Sequence, residues 1–355
     1  MWWLFRRIKV MKKIFSIPFN PMLSEEVFVN KFYPFLERNK EWIYDVYFTC
    51  RIPPFTQDAM GSTFSDEFRD VVFDNAMIVQ KALGITVSAT FNNTNVSPRF
   101  DNYKLFVDNL KPLYEKGLRC MTIPHGHWVA MGLKKHFPEM EIKNTILRKV
   151  ATGQDFWYNA DQGFDYINLD RILMRDVEEL KNIKRAQLKY YEEKGRYVKL
   201  SLLVNEGCLG RCPVMDEHYS YNNLRTNNEL PYFHHEISKV TCEHKWEKDI
   251  NAFFFKTGTI PPFKEEFDEF LEYIDVFKMH GRDSFNRLDE TIEIVDSYVQ
   301  GKEILSKTSE IYLDGIPHEE LKGWRNKIKK CKFQCWDCNY CDIVADHKKK
   351  AYGLN

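Results

Sequence analysis

Eight short apolar segments, each followed by an amphipathic helical pattern, constrain this chain more than any other feature. They are "KIFSIPFN" (13–20), "WIYDVYFTC" (42–50), "ITVSATFNN" (85–93), "LRCMTIPH" (118–125), "IKNTILRKV" (142–150), "FDYINLDR" (164–171), "VKLSLLVNE" (198–206) and "IDVFKMHGR" (274–282). Most are rich in β-branched or aromatic residues and too short for core helices, as strands of a buried parallel sheet should be. The intervening helical patterns carry end signals. Ser24 precedes two acids as an N-cap, and Gly84, Gly117 and Gly195 follow their helices as C′ glycines. Strand and helix alternating eight times read as an α/β chain folded into a (β/α)8 TIM-type barrel. An open doubly wound sheet is the alternative, but it needs fewer repeats, and no GxGxxG or P-loop string is present.

A barrel places function at the C-terminal ends of its strands. Those ends carry Asn20, Cys50, Arg51, Asn92, Asn93, His125, His127, Arg148, Asp170, Arg171, Asn205, Glu206, Lys278, His280 and Arg282. Core packing does not explain so many polar groups after apolar strands. The aromatic abundance, 15% of residues, is expected to fill the barrel and its helix layer. The 12–300 region forms the barrel, with a 207–262 insertion after the seventh strand and a cysteine-rich basic extension over 301–355. The insertion is long for a barrel connection, which marks it as functional or disordered. It carries Cys208, Cys212, His218, His234, His235, Cys242 and His244. Cys208, Cys212 and Cys242 suit an iron–sulfur cluster on the rim; zinc held by these three with His244 is the alternative. Reduced cysteines without metal are the plain reading.

Lys and Arg total 51, as do Asp and Glu, so no global field draws the chain to nucleic acid or membrane. No stretch approaches the ~18 apolar residues that span a bilayer. The opening "MWWLFRRIKV" puts its aromatics before its arginines, the wrong order for a secretory signal, and either Met1 or Met11 is the start. Nine cysteines without such a signal imply a reducing, cytoplasmic setting, where clustered thiols mean metal rather than disulfides.

Several strings resemble the collagenase-like peptidase, or U32, family. They are "INLDR" with "VEELKNIKRA", "VNEGCLGRCP" with "EHY", and "YIDVFKMHGRDSFNRLDETIEIVDSYV", in order over roughly residues 120–300. The family includes proteins of oxygen-independent ubiquinone hydroxylation and RNA hydroxylation. The resemblance implies a barrel with a cysteine-held 4Fe–4S cluster. It matches Arg171 to an arginine after the sixth strand, Cys208 and Cys212 to the first ligand pair, Cys242 to a later ligand, and Lys278 and Arg282 to an eighth-strand motif. His280 stands where the family has an acid, and the first cysteine pair is closer together than in the ubiquinone-linked members. The fourth ligand stays open, with Cys50 and Cys120 as candidates.

Cys331, Cys335, Cys338 and Cys341 crowd into "CKFQCWDCNYC". The first three have radical-SAM spacing, but Cys341 would close the iron that such chemistry leaves open, and the motif lies beyond the barrel. The run is close to a ferredoxin string in reverse order and suits a second 4Fe–4S cluster, or a thiol that completes the rim site; a zinc knuckle is the other option. The surrounding "KGWRNKIKK" and "HKKK" read as a solvated tail around a metal site or a nucleic-acid patch.

Three functions compete. An iron–sulfur enzyme would hydroxylate a small molecule or RNA, with Arg171, Lys278 and Arg282 binding anionic groups and Asn205, Glu206 and His218 moving protons. It would draw electrons from a donor such as ferredoxin, and a paired homologous subunit is a further candidate partner. A metal-dependent peptidase would use Glu206 and His218 with zinc-bound water. An RNA-directed factor would stack bases on Trp324, Phe333 and Trp336.

Overall fold

The computed structural model describes residues 13–20, 23–56, 66–206, 208–226, 256, 264–281, 286–302 and 316–353, apart from a few side chains within those ranges. Eight parallel strands close into a barrel in sequence order: β1 (Phe15–Pro18), β2 (Ile43–Thr49), β3 (Thr86–Thr90), β4 (Cys120–Ile123), β5 (Glu141–Asn144), β6 (Tyr166–Asn168), β7 (Lys199–Val204) and β8 (Val276–Met279). The ring is sealed where Phe15 pairs with Phe277 and Ser16 with Lys278. All eight expected segments overlap a strand, the fifth only over residues 142–144.

Helices cover the outside. Residues 25–39 run through a π turn at Phe28–Phe32, and Ser24 accepts the Val27 amide as foreseen. Asp66–Leu83, Phe100–Glu115 and Val177–Lys194 each stop one or two residues before a glycine of positive φ, at Gly84, Gly117 and Gly195. Apolar faces of strands and helices meet in one layer. Phe267 stands edge-on to Phe277 at 4.4 Å, and Phe15 meets Phe267 at 5.8 Å across the β1–β8 seam. Burying each such ring contributes about 1.5–3 kcal/mol.

Rings such as Phe15, Phe267 and Phe277 pack in this outer layer, while the lumen, against expectation, is largely polar and lined by tyrosines. Lys143 of β5 pairs with Asp45 of β2, and Glu141 of β5 pairs with Lys199 of β7 at 2.9 Å. Tyr44 of β2 donates to Glu141. None of these strands are neighbours, so the contacts run through the middle of the barrel. Lys143 also sits 4.3 Å from the Tyr166 ring centroid, and Ser201 donates to Asn168 at 2.9 Å. In "EIKN", Glu141 and Lys143 thus reach polar partners across the lumen while Ile142 joins the apolar core, so the strand is not apolar on both faces.

The C-terminal extension is docked rather than trailing in solvent. Its helices, His318–Ile328 and Tyr340–Tyr352, bury Trp324, Ile328 and Val344. Lys330 forms an antiparallel bridge with Asp176, and the Val177 amide donates to the Lys329 carbonyl at 3.2 Å. Lys332 pairs with Asp176 at 3.0 Å and Lys329 pairs with Glu269. These contacts fasten the extension beside the segments that follow β6 and precede β8.

Candidate functional site

The C-terminal ends of β6 and β7 bring together a buried polar group. Asp170 caps a 3-10 turn, Arg171–Arg175, by accepting the Ile172 amide at 3.0 Å. The turn sends Arg171 inward, where Nη1 donates to Glu206 Oε1 at 2.8 Å; the side chains are 2% and 3% exposed. Tyr219, from the helix Met215–Thr226, accepts a further guanidinium hydrogen bond, and Cys208 lies near enough for its charge to act on both Arg171 and Tyr219. Burial works against the Arg171 charge, but Glu206, Tyr219 and Cys208 reverse that and hold its pKa well above the ordinary value. Burial pushes the Tyr219 phenol up, so it stays protonated.

Asn205 sets the direction of this group. Its φ of 53° lies in the left-handed region, which an asparagine tolerates better than most residues. The side chain accepts from the His280 amide at 2.8 Å and donates to the His280 carbonyl at 3.3 Å, joining the end of β7 to the end of β8. Arg287, buried in the helix Asn286–Val299, donates to the Asn205 carbonyl at 2.8 Å. Lys278 lies over the Tyr47 ring at 4.4 Å.

The helix Met215–Thr226 crosses this end of the barrel. Lys149 pairs with Asp216 at 2.7 Å after β5, and Ser220 and Asn223 reach Asn95 and Thr94 after β3, at 3.1 and 3.2 Å. It thus covers the polar ends from β7 toward β3.

Arg171, Asn205, Glu206, Cys208, Lys278 and His280 thus share one end of the barrel, with Cys212 on the same loop as Cys208. His218 is on the covering helix, its ring 5.8 Å from that of Tyr219. Arg282, His234, His235, Cys242 and His244 lie outside the described residues. Two expectations need correction. Cys120 is the first residue of β4, at the opposite end of the barrel, where its thiol faces Glu141 at 3.4 Å; it is no ligand for the rim, whereas Cys50 directly follows β2 at the correct end. Arg148 does not end a strand, because β5 stops at Asn144 and a 3-10 turn follows. Its guanidinium is spent on Asn159, Gln162 and the Pro124 carbonyl, at 2.6, 2.8 and 2.9 Å.

Tyr219 and Arg287 were not anticipated as parts of the site. Tyr219 closes the "EHY" string and would have been found by asking what satisfies a buried arginine. Arg287 sits in an ordinary-looking amphipathic helix and gave no signal. His125 packs on Trp128 at 4.1 Å, and burial, with Arg148 and His127, lowers its pKa to about 4.

In the extension, Cys331 accepts the Phe333 amide at 3.3 Å and Cys341 accepts the Trp324 indole N–H at 3.4 Å. Burial, then Cys331 and Cys341, push the Cys335 thiol up. Phe333 packs on Gly210, where a β-carbon would lie 1.8 Å from the ring. The extension therefore touches the loop that carries Cys208 and Cys212. Of the three candidate stacking aromatics, Trp324 is fully buried and Phe333 half-buried; Trp336 is 84% exposed. Among the described residues, no three His, Cys, Asp or Glu side chains are drawn into a metal-holding group, and no helix is long and apolar enough to cross a membrane.

A curated relative, the uncharacterized protease MJ1657 of Methanocaldococcus jannaschii, is 24% identical over 166 residues, which cover 43% of this chain and 46% of that protein. The chain resembles the collagenase-like peptidase, or U32, family. The match spans under half the length of that relative. Among solved structures, the U32 peptidase Mk0906 has a TM-score of 0.47 and 14% identity, over 67% of this chain and 85% of that one. A mandelate racemase/muconate lactonizing protein of Paracoccus denitrificans, complexed with magnesium, has a TM-score of 0.34 and 12% identity, over 61% and 51%. No family model matches the chain.

Proposed function

We propose that this chain is an iron–sulfur barrel enzyme that modifies a small molecule or an RNA by oxygen-independent hydroxylation or a related redox step at the mouth formed by β6, β7 and β8. The observation that supports this is the buried Arg171–Glu206–Tyr219 group with Cys208 against it. A cysteine beside a fixed, buried guanidinium is the kind of donor an anionic cluster would use, which supports the reading. Cys208 and Cys212 would hold it, with Cys242 and Cys50 as further candidate ligands. When bound, such a cluster supplies one-electron transfer at the mouth.

The chain's own residues supply the rest. Glu206 fixes Arg171, and Asn205 keeps the β7 and β8 ends in register. Lys278 presents a cation to an anionic part of the substrate, joined in this reading by Arg282. His218, on the covering helix, is the candidate for moving protons. An electron donor of the ferredoxin kind and a paired homologous subunit are the partners this chemistry calls for, in the cytoplasm. Anaerobic purification followed by visible and electron paramagnetic resonance spectra tests the reading. Iron–sulfur absorbance that bleaches on reduction is expected.

The name of the curated relative supports a second reading, a metal-dependent peptidase. It would place zinc on the same thiols, with Glu206 and His218 activating water. Zinc without iron, together with peptide turnover, selects it over the first.

A further inference from the structure

We propose that Cys331, Cys335, Cys338 and Cys341 hold a thiolate-bound metal centre of their own, separate from the barrel mouth, that clamps the C-terminal extension onto the rim. The stretch lies beyond the residues that carry the family resemblance, and the inference stands independently of the chemistry proposed for the mouth.

The surroundings of the sulfurs are those of thiolate ligands. Lys330 is pinned by its bridge to Asp176, so Cys331 begins from a fixed point on the barrel. Phe333 then adopts φ 54°, an unusual conformation for a bulky residue. That turn aims its amide back at Cys331 Sγ, 3.3 Å away. The Trp324 ring is fully buried, yet its N–H is directed to Cys341 Sγ at 3.4 Å. A buried indole N–H needs an acceptor, and a metal-bound thiolate is a far better one than a thiol. Cys341 also lies in the first turn of the helix Tyr340–Tyr352, where the helix dipole favours a negative sulfur. Between these anchored thiols, the amides of Asp337 and Cys338 donate to Gln334 O at 3.0 and 2.8 Å, forming a tight turn that carries exposed Cys335 and Cys338. Metal binding and thiol deprotonation are one event, so the sulfurs close around the ion rather than before it.

The position explains why such a centre would sit here. It joins the two helices of the extension, and Phe333, between its first two thiols, rests on Gly210 of the loop that carries Cys208. Lys256 pairs with Asp342 at 2.9 Å, and its carbonyl accepts the Gly210 amide at 2.9 Å, a second tie between the same loop and the extension. Four thiolates accept either a 4Fe–4S cluster or zinc; the shared chemistry is a thiophilic metal centre.

The test uses the full chain, purified anaerobically without a metal-affinity step. Iron, labile sulfide and zinc are counted for wild type, for the Cys331→Ser/Cys335→Ser/Cys338→Ser/Cys341→Ser variant and for the Cys208→Ser/Cys212→Ser variant. The expected result is a metal equivalent lost in the four-cysteine variant and retained in the two-cysteine variant; sulfide-containing iron identifies a cluster and sulfide-free zinc a zinc site. Cobalt(II) added to metal-stripped protein should give thiolate-to-cobalt charge-transfer bands in wild type. Those bands should shift in Trp324→Phe and weaken in Cys335→Ser, whose exposed position guards against a variant that simply fails to fold. Equal metal contents in wild type and the four-cysteine variant overturn the proposal, as does rapid reaction of all four native thiols with a disulfide reagent and no metal release.

Discussion

Arg171 donates to Glu206 at 2.8 Å inside the barrel mouth, with both side chains almost wholly withdrawn from water. The two residues are 35 apart in sequence, and the fold brings them into one ion pair. Removing one partner strands a buried charge, which costs about 3–5 kcal/mol. Arg171→Met and Glu206→Leu should each lower the urea midpoint strongly and abolish activity. The double variant should recover much of the stability and none of the activity. Equilibrium unfolding of the three variants checks this.

Gly210 accommodates the Phe333 ring where a side chain would collide with it. Gly210→Val should therefore cost about 1–3 kcal/mol through overpacking and loosen the extension from the barrel. Phe333→Ala in the same chain should return part of the loss. Limited proteolysis within 316–353 and a double-mutant cycle provide the readouts.

The acid limb of stability should have two parts. His125 is held down at about 4, so the unfolded chain binds a proton first, and stability falls as pH drops from about 6.5 toward 4. Burial alone would push Glu141 up, but Lys143 and Lys199, with hydrogen bonds from Tyr44 and Lys199, bring it down to about 2. Its contribution is present above the unfolded carboxyl value and is lost as pH falls through about 4.5 to 2. That contribution amounts to about 3 kcal/mol at neutral pH. Lys199→Met should flatten the lower part and His125→Gln the upper part in pH-dependent denaturation.

Cys120 starts β4 at the far end of the barrel, with its thiol against Glu141. Cys120→Ala should leave the metal content of the purified protein unchanged. Loss of metal in that variant would contradict the placement of the site at the opposite end.

The strands were legible because parallel pairing demands short β-branched and aromatic runs, and the helix ends because Gly84, Gly117 and Gly195 need positive φ. The fifth strand was overrun. "TILRKV" looks extended by composition, whereas Thr145 caps a 3-10 turn by accepting the Leu147 amide at 3.3 Å, a tertiary choice that local pattern does not reveal. The same limit explains Cys120: a strand's sequence does not announce which end faces the loops when its boundaries are uncertain by a few residues. Arg171 and Glu206 could be named from their positions after strands, but their pairing could not. Arg287 was invisible because its tie to the site is to a backbone carbonyl, that of Asn205, which any residue could offer, while its pairing with Glu290 three residues on reads as an ordinary helix pair.

The most direct test of the redox centre proposed for the mouth is the iron and labile sulfide content of anaerobically purified wild type beside Cys208→Ala/Cys212→Ala. The account predicts iron and sulfide in wild type and a clear fall in both when the two loop thiols are removed. Wild type without iron, or iron and sulfide that do not change in the variant, would contradict it.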